Sequence, residues 1–576
     1  MKFLLVALNA KYIHSNPAIY SLRAFAGKEM EKHIELAEYT INQQVNDILA
    51  DIYQKKPDAI AFSCYIWNWK EIQELLTEIP KVLPKTDLWL GGPEVTYGAE
   101  KLLKQYPQVT GVMIGEGEVT FRETVREYLE EKDFSKVAGL CLKEGYTKPR
   151  ELTDLTELPF LYGDLEPFEN KIIYYESSRG CPYRCSYCLS SIDKKVRLRN
   201  LDVVKKELQF FLDRKVKQVK FVDRTFNCNH QHAMEIWKYL LEHDNGVTNF
   251  HFEVSADILN DEEIALLNQL RPGLAQLEIG VQSTNEETLR AINRTMNVER
   301  LEGIVAAIRA GGNIHQHLDL IAGLPYEDYE SFQRSFNRVY EMKPDQLQLG
   351  FLKVLKGSEM EQRAREFGIC YGSQPPYEVL YTNWLSFDEV LFLKKVEEMV
   401  ELYYNSDQFE HVLPFLVKTF DSPFAMFEQL AKYYEEQGYF LQSPARSYRY
   451  QVLLNFALEY DAEHADIYKE LLTYDLYLRE NVKSRPGFCK DLTTEAYRTF
   501  ASGFYKTEEE QREYLPQYQE YHWKQLWKMT HLEVFDYPVW DIELLIAQGR
   551  LKEPQGILFD YKDRNPLNYE ARTVRI

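Results

Sequence analysis

No run of about 18 apolar residues occurs anywhere in these 576 residues, so no stretch reads as a membrane-spanning helix. Cysteine is sparse. There are eight, three of them clustered, which excludes a disulfide framework and fits a reducing, cytoplasmic setting. Basic residues are outnumbered, 68 Lys and Arg against 89 Asp and Glu, and the net charge of −21 disfavours non-specific attraction to nucleic acid. Internal repeats and low-complexity tracts are absent. The opening Met1-Lys-Phe-Leu-Leu-Val-Ala-Leu-Asn-Ala10 runs into a polar segment and reads as a first strand and not as a secretory leader.

What is present is ample core material. Hydrophobic residues make up 45% of the chain and aromatics 14%, with 40 Tyr, enough for three or four domains and against extended disorder. Residues 1–135 alternate strand-like and helix-like segments. Apolar runs at Phe3–Leu8, Ile34–Tyr39, Ala59–Cys64, Leu88–Leu90 and Val112–Ile114 predict five parallel strands of a doubly wound, Rossmann-like sheet. Between them, helices are predicted over Ala18–Met30, Val45–Gln54, Glu71–Leu83, Ala99–Gln105 and Phe121–Glu130.

Residues 136–170 read as a connector with one strand at Val137–Leu142. The alternation restarts over 171–365 with six strand–helix repeats, beginning at Ile172–Ser177, which predicts a partial (β/α)6 barrel of the TIM type. Residues 366–576 change style and read as a mainly helical domain rich in Tyr, Phe and Leu. Its last stretch, from Arg564 to Ile576, is locally basic and reads as a solvated tail.

The chemistry concentrates in Glu176-Ser-Ser-Arg-Gly-Cys-Pro-Tyr-Arg-Cys-Ser-Tyr-Cys188. Cys181, Cys185 and Cys188 offer three thiolates in a C-x3-C-x2-C spacing, just after the first barrel strand. Three thiolates suit an iron–sulfur cube with one iron left open. A zinc knot is the alternative, but it needs a fourth Cys or His. No second C-x-x-C exists, and the next histidine is His230.

The motif closely resembles that of the radical S-adenosylmethionine (SAM) family, with Gly180 before the first cysteine and the aromatic Tyr187 before the third. The resemblance implies a 4Fe–4S cluster held by Cys181, Cys185 and Cys188, and SAM bound at its open iron. It also implies SAM contacts at later strand ends: Asp223 and Asn227 after the second strand, Glu253 (with Asp257 second) after the third, Gln282 and Ser283 after the fourth, and Gly323 after the fifth.

The first domain resembles the cobalamin (B12)-binding domain found in cobalamin-dependent radical SAM proteins. Ser63, Gly91-Gly-Pro-Glu94 and Gly115-Glu-Gly-Glu118 carry this likeness, and it implies that Ser63, Gly91, Gly92, Pro93, Glu94, Gly115, Glu116, Gly117 and Glu118 hold cobalamin. The Asp-x-His-x-x-Gly motif, whose histidine ligates cobalt in some cobalamin proteins, is missing. His14 is the only nearby imidazole, with local hydrogen bonding as its other reading; Tyr65, Trp67 and Trp69 read equally as cover for the corrin or as core.

The family implies a radical C-methyltransferase that uses a 5′-deoxyadenosyl radical and methylcobalamin. Alternatives are a cobalamin-dependent cyclase or rearrangement enzyme without methyl transfer, or a non-catalytic cobalamin sensor. The expected partners are a flavodoxin- or ferredoxin-type electron donor and a small-molecule, lipid or peptide substrate. Trp384, Trp523, Trp527 and Trp540 read as substrate clamp or as core, and Cys228 as a thiol near the site or a bystander.

Overall fold

The computed structural model describes residues 1–576. Two compact units carry the fold. Met1–Ile314, Ile321–Tyr329 and Gly350–Phe387 form the first, and His315–Leu320, Glu330–Leu349 and Asp388–Ile576 form the second. The chain is α/β with parallel-sheet cores.

The first sheet contains β1 (Phe3–Asn9), β2 (Ile34–Thr40), β3 (Ala59–Ser63), β4 (Asp87–Gly91) and β5 (Val109–Met113), in the spatial order β2-β1-β3-β4-β5. All four pairings are parallel, as the doubly wound reading requires. Every residue of β1 is buried, because helices cover both faces of a central parallel strand and leave no polar side. The switch in strand order between β1 and β3 opens a crevice beyond their carboxyl ends.

Two details differ from the sequence reading. The helix expected over Ala18–Met30 is broken in two, Pro17–Ala26 and Lys28–Glu31, because Gly27 adopts φ 86°. The strand expected at Val137–Leu142 is shorter and is no free connector. β6 (Leu140–Leu142) pairs antiparallel with β5, and β7 (Gly145–Tyr146) pairs with β6, so both extend the first sheet.

The second sheet comprises β8 (Ile173–Tyr175), β11 (Gln218–Phe221), β12 (Asn249–Val254), β13 (Ala275–Gln282), β14 (His315–Ala322) and β15 (Gln346–Phe351). Its order is β15-β14-β13-β12-β11-β8, an open six-stranded array. β8, β11, β12 and β13 pair in parallel register, which lines their carboxyl ends up on one rim. Two short strands, β9 (Ser178–Arg179) and β10 (Arg197–Leu198), pair antiparallel beside it. A further hairpin, β16 (Cys370–Tyr371) and β17 (Val379–Tyr381), completes the first unit.

In the second unit, helices Pro423–Glu436, Arg446–Tyr460, Ala465–Arg479 and Glu495–Gln511 accompany an antiparallel sheet of β18 (Thr530–Phe535), β19 (Gln555–Arg564) and β20 (Ala571–Arg575). The basic C-terminal stretch is therefore not a solvated tail. Ala571–Arg575 forms the third strand, paired antiparallel with Ile557–Arg564. Trp523 and Trp527 pack on the buried cluster around Tyr505 and Tyr518, which favours their core reading over a substrate clamp.

Candidate functional site

The three cysteines lie on a loop that the structure holds at both ends. β9 and β10 zip together the chain on either side of residues 180–196. Gly180 has φ +93°, and a Cβ there would collide with the carbonyl of Lys195, so only glycine lets the chain turn into Cys181. The Cys181 N–H donates to the Asp193 carbonyl (3.2 Å), the Cys188 N–H to the Cys185 carbonyl (3.1 Å), and the Ser186 N–H to the Ile292 carbonyl (2.9 Å). Replacing Gly180 with alanine is expected to cost about 2–3 kcal/mol of local strain. Iron bound per chain after anaerobic reconstitution should fall several-fold, whereas full iron content would show that the turn tolerates a side chain.

Cys181 and Cys185 are 8% and 7% exposed, and Cys188 is half-buried. Burial pushes the Cys181 thiol up, partly offset by Thr225, whose Oγ1 lies 3.5 Å from its sulfur. A thiol held up in this way keeps its proton from water and gives it up to a bound metal. The surroundings fit an anionic cluster. Arg294 Nη1 stands 3.7 Å from Cys185 Sγ and 3.5 Å from the Tyr187 hydroxyl, Nη2 donates to the Gly280 carbonyl, and Nε is buried with no partner. A buried guanidinium with an idle donor beside a thiol suits a bound anionic group.

Of the residues expected at the strand ends, several have other work. Asp223 is fully buried, and its carboxylate accepts from the Ser177 N–H (2.8 Å), Ser177 Oγ (2.6 Å) and Ser178 Oγ (2.5 Å). Burial raises its pKa to about 6, against those hydrogen bonds. It braces the root of the cysteine loop and does not face a ligand. Asn227 is likewise buried; its Nδ2 donates to the Ser255 carbonyl (2.8 Å) and its Oδ1 accepts from the Ser255 N–H (2.9 Å), stitching the end of β11 to that of β12.

Ser283 donates to Glu327 (2.7 Å) and accepts from the Asn285 N–H (3.0 Å). Gly323 does permit a close approach, but of Val379, whose Cγ1 would lie 2.7 Å from an added Cβ. Both residues make internal contacts at the rim. Glu253, on β12, is half-buried at the rim, and Asp257 accepts from Ser255 Oγ (2.9 Å). Gln282 ends β13 in a left-handed conformation (φ 73°), and its Oε1 is buried without a hydrogen-bond partner. Burial pushes the Cys228 thiol up to about 11, which argues against a reactive thiol there.

Beyond the carboxyl ends of β1, β3, β4 and β5 lies a cavity of about 450 Å³, within the ~300–1,000 Å³ typical of small-molecule sites. Ser63, Gly91, Gly92, Pro93, Gly115, Glu116, Gly117 and Glu118 all line it, together with the apolar Leu5, Ile19, Leu22 and Met113. Glu176, Arg179, Leu189 and Ser190, from either side of the cysteines, form another part of its wall. An added Cβ at Gly115 would meet open space, so that wall is bare backbone facing the cavity. Mostly apolar walls with a few hydroxyls and exposed backbone fit a bulky, ring-bearing group with a polar tail. Gly92 is a partial correction, because its missing Cβ makes room for the Cys64 carbonyl (2.5 Å) and not only for a ligand.

Glu94 does not line this cavity. It is 3% exposed and is held by Lys356 Nζ (2.6 Å) and the Tyr377 hydroxyl. His14 Nδ1 lies 2.5 Å from the Tyr174 hydroxyl, far along the chain, and is not a wall residue. Trp69 is core, whereas Tyr65 lines the cavity with Trp67 stacked on it at 4.3 Å.

Both acidic side chains of the Gly115–Glu118 loop are engaged by arginines that flank the cysteines. Glu116 accepts from Arg197 (2.5 and 3.2 Å) and from the Thr153 N–H (2.7 Å), and Glu118 accepts from Arg179 (2.5 Å). Burial opposes ionisation of Glu116, but Arg197, Thr153 and Arg179 together hold its carboxyl down at about 2. A carboxyl held below its usual 4.5 stabilises the fold above that pH and loses its contribution as pH falls toward 2. The apo chain is expected to lose on the order of 1–2 kcal/mol across that window from this group, since solvent screens a half-buried ion pair. In Glu116→Gln that limb of the urea-midpoint profile should flatten; an unchanged slope would show that the ion pair contributes nothing.

Sequence reasoning missed Arg179, Arg197, Thr225 and Arg294. Arg179 sits two residues before Cys181 and was in plain view, but Arg294 follows an unrelated helix and only the fold brings it to Cys185.

Comparison with known proteins agrees with these two sites. Residues 4–125 match the B12 binding domain, residues 175–339 the radical SAM superfamily, and residues 365–559 a family described as protein of unknown function (DUF4080). These domains imply a 4Fe–4S cluster, SAM and cobalamin as cofactors. The cobalamin-dependent radical SAM methyltransferase TokK of Streptomyces tokunonensis is 27% identical over 313 residues, 50% of this chain and 45% of that protein. An anaerobic magnesium-protoporphyrin IX monomethyl ester cyclase of Rubrivivax gelatinosus is 22% identical over 330 residues, 53% of this chain and 59% of that protein. The chain thus spans about half the length of these curated relatives. Among solved structures, the cobalamin-dependent SAM radical enzyme OxsB with aqua-cobalamin bound superposes with a TM-score of 0.57 at 15% identity, covering 87% of this chain and 82% of that one. That likeness shows the fold.

Proposed function

We propose that this chain, a radical SAM protein with a B12-binding domain ahead of its cysteine loop and a DUF4080 domain behind it, is a cobalamin-dependent methyltransferase acting on an unactivated carbon. One observation carries the reading: the cavity of the first domain is closed by residues on both sides of the cysteines, so the two cofactor sites share a wall. When bound, the cluster with SAM supplies a carbon-centred radical oxidant and cobalamin supplies a transferable methyl group.

The chain's own residues then hold, orient and exclude water. Cys181, Cys185 and Cys188 are the proposed cluster ligands, and Tyr187 and Arg294 shield and balance them. Gln282 and Glu253 at the rim are the proposed SAM contacts. Asp223, Asn227 and Ser283 hold the strand ends in place behind them. Ser63, the glycines Gly91, Gly92, Gly115 and Gly117, and Pro93 form the proposed cobalamin cradle, with Tyr65 at its edge. Glu94, Glu116 and Glu118 lock the cradle in place. The chemistry needs a reductant and a small-molecule substrate. A flavodoxin- or ferredoxin-type donor in the cytoplasm is the proposed source of electrons, consistent with thiols left free and no helix long and apolar enough to cross a membrane.

The resemblance to a named cyclase favours, second, a cobalamin-dependent ring-forming or rearranging reaction without methyl transfer. Anaerobic purification and reconstitution tests the two-cofactor core that both readings share. About four irons and one cobalt per chain are expected, and a preparation that takes up iron but never cobalamin would sink both.

A further inference from the structure

The ion network between the cavity and the cysteines carries an inference of its own, which rests on the proposed two-cofactor reading. Arg179 Nε lies 2.8 and 2.9 Å from the two carboxylate oxygens of Glu176, at the end of β8. Its Nη2 donates to Glu118 at 2.5 Å, and its Nη1 stands 3.6 Å from Glu116. Glu116 is also taken by Arg197, whose strand β10 pairs with the β9 strand that carries Arg179. One guanidinium therefore joins the end of the barrel strand to the cavity loop, from a residue two places before the first cysteine. Its side chain is 18% exposed, so solvent screens it weakly.

We propose that Arg179 is a positioning residue that sets the spacing between the cobalamin site and the cluster, by fixing the Gly115–Glu118 loop against the root of the cysteine loop. A guanidinium suits this task better than an ammonium, because its planar fork fixes direction as well as distance. Every donor edge of Arg179 is spent on a different carboxylate: one edge reads the barrel, another the cradle. A change in either element is passed to the other through a rigid group, without a ligand of its own. The same residue stands in the wall shared by the large cavity and a smaller one of about 200 Å³, lined by Tyr162, Tyr174 and Phe160. Displacing it would open the cofactor cradle sideways into that space.

The test uses the full-length protein loaded anaerobically with cluster and cobalamin, in wild type and in Arg179→Gln, Arg179→Lys and Glu118→Gln. Iron per chain controls for an intact cysteine loop. The decisive readout is magnetic. With the cluster reduced and cobalt in its cob(II)alamin form, the cluster speeds relaxation of the cob(II)alamin signal to an extent that falls steeply with distance. Wild type should show one relaxation rate. Arg179→Gln and Glu118→Gln should show a slowed and broadened one, with cobalamin retained on the order of 10-fold less tightly. Arg179→Lys should fall between, and the double variant Arg179→Gln/Glu118→Gln should be no worse than either single one.

A merely structural role would lower yield and iron content without spreading the relaxation rates of the loaded fraction. Unchanged relaxation in iron-replete Arg179→Gln would overturn the role of Arg179 and leave the proposed function standing. A wild type that retains no cobalamin would overturn the proposed function itself. Should Arg179→Gln fail to fold, Glu118→Gln carries the same prediction from the other side of the pair, and unchanged relaxation there overturns the proposal equally.

Discussion

Replacing Cys185 with alanine should abolish reductive cleavage of SAM. Cys185 is one of three thiols in a loop that offers no fourth ligand, and its sulfur is the one that Arg294 faces at 3.7 Å. Outer-shell changes around a metal already cost about 10–100-fold, so loss of a ligand itself should exceed ~100-fold. The effect is doubled by what remains: the alanine would leave the Arg294 charge buried opposite an apolar methyl, with its Nε still idle. Release of 5′-deoxyadenosine under a low-potential reductant is the measurement. Cobalamin uptake by the same variant should persist, because Cys185 is absent from the cavity wall. Cleavage at the wild-type rate in Cys185→Ala would show that the cysteine loop is not where SAM reacts.

The converse variant is Ala18→Trp. Ala18 lies in the first turn of the Pro17–Ala26 helix, which Asn16 caps by accepting from the Ile19 N–H, and its side chain lines both cavities. A tryptophan there is compatible with the helix and puts an indole where the cavity is open. Cobalamin affinity should drop by at least ~100-fold, about 2.7 kcal/mol, while iron content and the helix remain. Equilibrium dialysis against hydroxocobalamin reads the affinity directly. Undiminished binding would place cobalamin elsewhere. The two variants form a pair, since each should remove one cofactor and spare the other. Loss of both cofactors in either variant would mean that the sites fold as one.

Much of this architecture is legible in the chain, and the residues explain why. Phe3-Leu-Leu-Val-Ala-Leu8 is apolar without alternation because helices cover both faces of β1, and that pattern needs no tertiary knowledge. The cysteine loop is legible because a cluster constrains its ligands in sequence as well as in space. Ser63, the Gly91–Gly92 pair and Gly115–Glu118 lie at successive strand ends, where a parallel sheet brings loops together whatever their sequence separation.

The misses share a different cause. Asp223, Ser283 and Gly323 occupy rim positions that sequence assigns to a ligand, yet Ser177, Glu327 and Val379 reach them first. Nothing local distinguishes a polar strand end that greets a ligand from one that braces its neighbour. Glu94 follows the same rule, with Lys356 as its partner 262 residues away. Arg294 was illegible because its role depends on where the segment after β13 returns to the cysteine loop. The basic C-terminus misled for a simpler reason: charge suggested solvent, while backbone pairing with β19 makes Ala571–Arg575 an edge strand.

The central claim, that one chain holds a SAM-cleaving cluster and a methyl-carrying cobalamin against a shared wall, can be tested without knowing the substrate. The measurement is the product pair formed from SAM by one anaerobic, fully loaded preparation under low-potential reductant. The account predicts both 5′-deoxyadenosine, from the cluster, and S-adenosylhomocysteine, from methylation of the reduced cobalamin. 5′-Deoxyadenosine alone, from a preparation that retains stoichiometric cobalamin, would contradict methyl transfer.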